Sequence, residues 1–64
     1  MPEATKAFAF QLAQQLPAGM SWRVARQIID NLTCGRLDAA QLDRLTDWTH
    51  AWLAVLHRPA ARVQ

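Results

Sequence analysis

An all-α fold, a small three-helix domain, is what the sequence predicts, and three observations carry it. Apolar residues recur at three- and four-residue spacing in three segments. Nothing alternates apolar and polar for long enough to make a strand. Two stretches of turn chemistry, PAGMS at 17–21 and TCGRLD at 33–38, separate the three segments. The whole chain, 1–64, reads as a single domain, with no internal repeat and no low-complexity tract.

The first helix is expected over about 3–16. Pro2 suits a first turn, where its missing N–H would be unsatisfied in any case. Pro17 ends the helix by disfavouring helical geometry in the residue before it. Phe8, Ala9, Leu12, Ala13 and Leu16 share one face, whereas Phe10 projects about 160° from Leu12. The second helix is expected over 22–33. Ser21 is a good N-cap, and Gly35 is the expected left-handed residue past the end. Its apolar face joins Trp22, Ala25, Ile28, Ile29 and Leu32, widened by Val24, with an Arg26–Asp30 pair on the opposite side. The third helix is expected over 38–57, with Asp38 as N-cap and Pro59 beyond its end. A tail, 60–64, is expected to fray.

The second and third helices are expected to form an antiparallel hairpin with the first packed across both. The core should hold Phe8, Leu12, Leu16, Ile28, Ile29, Leu32, Leu42, Leu45, Leu53 and Leu56. A chain this short buries only about 60% of the surface its unfolded form exposes. The usual staples are missing, since the lone Cys34 cannot close an internal disulfide and no Cys/His quartet has zinc-finger spacing.

The segment TDWTHAWLAVLHRP, 46–59, concentrates two of the three tryptophans and both histidines. On a wheel of about 100° per residue, Leu42, Leu45, Thr49, Trp52, Leu53 and Leu56 form one stripe, and Trp48 and Val55 widen it to about 160°. That exceeds the roughly 100° a core-facing helix needs. The third helix also outruns the second, so its Trp-rich half has less to pack against. The surplus points to self-association or to a protein partner, because exposed contiguous apolar surface marks contact sites and Trp is enriched at their centres. Phe10, Trp48, Trp52 and Val55 are the expected anchors, with Arg23 and Arg26 as a polar rim. A homodimer is expected, as is a larger protein target.

Other chemistries are poorly served. Asp43, Asp47, His50, Ala54 and His57 follow one another on what reads as a wet stripe opposite the core. Asp47 and His50 offer two metal ligands where a stable zinc site wants three or four. Cys34 falls at a helix C-terminus, which disfavours a thiolate. There is no phosphate loop, carboxylate pair or nucleophile elbow, so the chain is not expected to be an enzyme, and no cofactor is expected.

Nucleic-acid binding is the chief alternative, as a dimeric helix–turn–helix repressor with Gly35 in the turn. The pI near 9.5 favours it. Asp38 and Asp43 at the start of the third helix oppose it, because they would meet phosphates. A small subunit of a larger enzyme complex is a further alternative. No apolar run approaches the ~20 residues of a membrane span, and no secretory leader is readable. One unpaired cysteine fits a reducing cytoplasm. Twelve alanines and six arginines against one lysine suggest a GC-rich bacterial or phage coding source. The expected role is therefore a small regulator or adaptor that occludes a surface on a larger bacterial protein.

Overall fold

The structure, a computed structural model, describes residues 3–57. These residues form three helices, α1 (Glu3–Gln15), α2 (Trp22–Leu32) and α3 (Ala39–Leu56), with no strand among them. The predicted boundaries agree to within one residue at each end. Pro2, Pro59 and the tail 60–64 lie outside the described residues.

Local chemistry sets the boundaries. Ser21 caps α2, its Oγ accepting from the Val24 N–H at 3.2 Å. Asp38 caps α3 through a reciprocal box: Gln41 N–H donates to Asp38 Oδ1 at 2.8 Å, and Asp38 N–H donates to Gln41 Oε1 at 3.1 Å. The end of α2 differs from expectation by one position. The first left-handed residue there is Cys34, at φ 57°, followed by Gly35 at φ 69°. Gly35 N–H donates to Asp30 O and Cys34 N–H to Asn31 O, both at 3.1 Å, so the turn closes as a Schellman motif with cysteine in the slot glycine usually fills.

α3 is the central element, and both other helices pack along it. Pairs between α1 and α3 ascend together, Lys6 with Trp48 and Phe10 with Trp52, so these helices run in the same sense. Pairs between the second segment and α3 step the opposite way: Met20 with His50, Trp22 with Asp47, Arg26 with Asp43. No Cα of α1 comes within 8 Å of a Cα of α2. The backbone of the first helix, expected across both others, therefore lies along α3, and it shares a buried cluster with Ile29 of α2. Ala9 and Ala13, one turn apart and fully buried, let its backbone approach α3 closely.

The core follows from that arrangement. One buried cluster joins Ala9, Leu12, Ile29, Leu42 and Leu45, and a second joins Ala13, Leu16 and Leu53. Trp52 packs against both. Six of the ten predicted core residues are buried: Leu12, Leu16, Ile29, Leu42, Leu45 and Leu53. Ile28 is half-buried against the second cluster. Phe8, Leu32 and Leu56 are exposed, Leu32 at 58%. Phe8 lies about 100° round the helix from Ala9, off the edge of the face that α1 buries. Leu32, on the side of α2 away from Arg26, loses its cover for the same reason.

Thr46 and Thr49 are fully buried instead. Thr46 Oγ1 donates to Leu42 O at 2.7 Å, which removes the penalty of burying it. Among the described residues the Thr49 hydroxyl has no hydrogen-bond partner.

Candidate functional site

α3 meets its two neighbours with different chemistry. Towards α2 it presents Asp43, Asp47 and His50, the residues expected on a wet face. Arg26 Nε donates to Asp43 Oδ1 at 2.6 Å, and this pair replaces the expected Arg26–Asp30 contact within α2. The Trp22 indole N–H donates to Asp47 Oδ1 at 2.7 Å. His50 Nε2 lies 3.0 Å from Met20 O in the preceding loop. The polar stripe is thus the α2 seam. The physical reason is that Trp22 and Arg26 carry donors long enough to reach carboxylates on the neighbouring helix.

Towards α1 the contacts are apolar and aromatic. Phe10 and Trp52 meet edge to face, with ring centroids 4.7 Å apart and planes at 72°. The Lys6 ammonium sits 5.3 Å from the Trp48 ring centroid, within cation–π range. Phe10, which the sequence sets apart from the face of Leu12, is half-buried by this contact. It belongs to the α1–α3 seam, and only part of it is free to anchor anything else.

A shallow groove of about 190 Å³ runs along the outer side of that seam, lined by Trp48, Ala51, Trp52 and Val55. Trp52 is shared with an adjoining depression of about 370 Å³ formed by Glu3, Lys6, Ala7 and Phe10. Trp48 is 37% exposed and Val55 49%. Four of the six sequence-derived site residues, Phe10, Trp48, Trp52 and Val55, therefore fall on one continuous surface. Arg23 and Arg26 do not join it. They belong to α2, and the Asp43 that holds Arg26 lies about 140° round α3 from Trp48.

Glu3, Lys6, Ala7 and Ala51 are the members sequence reasoning missed. Ala51 was findable, because it sits three residues after Trp48 and four before Val55, in one row of the helix. Glu3, Lys6 and Ala7 were not, since their place depends on how α1 docks.

A second cavity, about 310 Å³, lies between the 17–21 loop and α3 and includes Met20, His50, Leu53 and His57. His50 already faces the Met20 carbonyl there. Among the described residues no group of three His, Cys, Asp or Glu side chains could hold a metal ion. Cys34 is exposed. No helix among the described residues is long and apolar enough to cross a membrane. One exposed row of α3 carries Ala40, Arg44, Ala51 and Val55, with Asp47 between Arg44 and Ala51 at the edge of the α2 seam. What the groove can do chemically is bury apolar side chains beside an edge of mixed charge, formed by Lys6, Glu3 and Asp47.

Comparison of the chain with family models, with curated proteins and with solved structures found no match.

Proposed function

We propose that this protein is a non-enzymatic protein-binding regulator or adaptor that occludes a surface on a larger protein, and that the groove beside Trp48 and Trp52 is its contact. The observation that carries this is the merging of Phe10, Trp52, Trp48, Ala51 and Val55 into one apolar surface after the core is complete. Large side chains left in water in this way are stabilised by covering them, and Trp supplies much of the energy of protein contacts. The α2 seam, read as an antiparallel hairpin with α3, serves as the rigid backing of that surface. A homodimer through the same face is the other form the contact could take. An exposed unpaired cysteine fits work in a reducing cytoplasm.

The test is affinity purification from lysate of the native host, with and without nuclease, using the wild-type chain and Trp48→Ala. The expected result is a stoichiometric protein that survives nuclease and is lost with Trp48→Ala. Recovery of nucleic acid alone, with nothing left after digestion, would overturn the proposal and favour a DNA-binding repressor. Arg23→Ala and Arg26→Ala would then be the next variants.

A further inference from the structure

The cavity between the 17–21 loop and α3 gathers three donor side chains, Met20, His50 and His57. We infer that these three bind one soft monovalent cation, Cu(I) or Ag(I). The site lies about 160° round α3 from Trp48 and stands apart from the protein-binding proposal.

The loop and the helix bring the donors to one wall. Gly19, at φ 79°, turns the chain so that the Met20 carbonyl meets α3. Met20 is half-buried and packs against the cluster of Ala13, Leu16 and Leu53. Leu53 and Ala54 line the cavity between the two histidines. The thioether, on a flexible unbranched stem, is therefore tethered on the wall that carries both imidazoles.

His50 is oriented as a ligand. Its Nε2 lies 3.0 Å from the Met20 carbonyl oxygen, which can only accept, so Nε2 carries the ring proton. The neutral ring then keeps its lone pair on Nδ1, and among the described residues that nitrogen has no hydrogen-bond partner. Metal-bound histidines are held in this way, with the second ring N–H given to a carbonyl or a carboxylate. His57 follows seven residues later, on the same line of α3 and about 10 Å further along its axis. Helical side chains lean towards the N-terminus, which carries the His57 ring back over Ala54. As the exposed C-cap residue it has room to do so.

Donor type selects the cation. Two neutral imidazoles and a thioether carry no charge, and among the described residues no Asp, Glu or Cys joins them. Asp47, one turn before His50, accepts from the Trp22 indole instead. Structural zinc sites take four ligands, and Ca²⁺ and Mg²⁺ require oxygen. Thioether sulfur beside imidazole suits a soft monovalent ion, which accepts few ligands.

The test is a titration of silver nitrate into the isotope-labelled full chain carrying Cys34→Gly. Cys34 is exposed, and its thiol would otherwise take the ion. The expected result is saturation at one Ag(I) per chain, with the Met20 methyl and His50 Nδ1 signals moving together and the His57 ring with them. Zn(II) at the same concentration should leave all three in place. Met20→Leu conserves apolar volume, so it should keep the thermal melt and weaken silver binding by at least about tenfold. Cu(I) added anaerobically then identifies the ion. Displacement of silver points to copper and retention to silver, and either result supports the site.

A Met20 methyl that silver leaves unmoved would overturn the inference. So would equal silver binding by Met20→Leu, or Zn(II) binding as tight as that of silver. Should Met20→Leu lower the melt, the methyl and Nδ1 signals of the chain that retains Met20 decide alone.

Discussion

The two flanks of α3 solve the same packing problem with opposite chemistry. The α2 flank buries Ala25 and Ile29 and adds a polar ladder in which Arg26, Trp22 and Met20 each supply a partner to an acid or a histidine of α3. Such contacts contribute little net energy, because each replaces a good contact with water. They are directional, however, and a slip of α2 by one turn would break all three at once. The α1 flank is held by alanines, Phe10 and Trp52, whose attraction is strong in aggregate and weakly directional. A polar ladder is complete once its donors and acceptors are matched. An aromatic flank is not, and what α1 fails to cover becomes the groove.

That contrast makes Trp52 the largest lever on the molecule. It touches both core clusters and Phe10, so Trp52→Ala should cost about 3 kcal/mol in urea denaturation. In a domain whose single core supplies only ~3–5 kcal/mol, that is enough to unfold much of the population. A loss under about 1 kcal/mol would mean that the α1 flank is not where the stability resides.

Thr49 sits on the midline between the flanks, buried with an unpaired hydroxyl. Replacing it with the isosteric Thr49→Val should raise stability by about 1 kcal/mol, since a buried unsatisfied polar group is removed at constant volume. A decrease would show that the hydroxyl is hydrogen-bonded in solution. Cys34→Gly should stabilise by roughly 0.5–1 kcal/mol, because glycine occupies a left-handed backbone without the Cβ penalty that cysteine meets at φ 57°. Thermal melts under reducing conditions would resolve it.

The smallest effect belongs to the polar flank. Arg26 and Asp43 are 35% and 50% exposed at the side chain. Asp43→Ala should therefore cost only about 0.5 kcal/mol, and less as salt is added. A cost approaching that of Trp52→Ala would reverse the assignment of roles to the two flanks.

The helices were legible because their limits are written locally. Ser21, Asp38 with Gln41, Pro17 and the Cys34-Gly35 turn each act within a few residues of their own position. The surplus around Trp48, Trp52 and Val55 was legible too, because an apolar arc too wide for one neighbour is a property of a single helix. Half of the core was harder to read. Thr46 and Thr49 are polar by type, and only a helical backbone offers Thr46 the Leu42 carbonyl that makes its burial affordable. Ala9 and Ala13 matter through the close approach they permit, which has no signature until the neighbour is known.

Which neighbour stands on which side of α3 is a long-range matter, and it accounts for the remaining differences. Asp43, Asp47 and His50 form the same stripe whether water or α2 faces them. It is the reach of Trp22 and Arg26 across the seam that turns a solvated face into a contact. Phe8, Leu32 and Leu56 have helical spacing fit for a core, but burial requires an opposing surface, and the α1 backbone runs along α3 and not along α2. Periodicity along a chain specifies the direction in which a side chain points. Whether anything is there to meet it depends on residues far away in sequence.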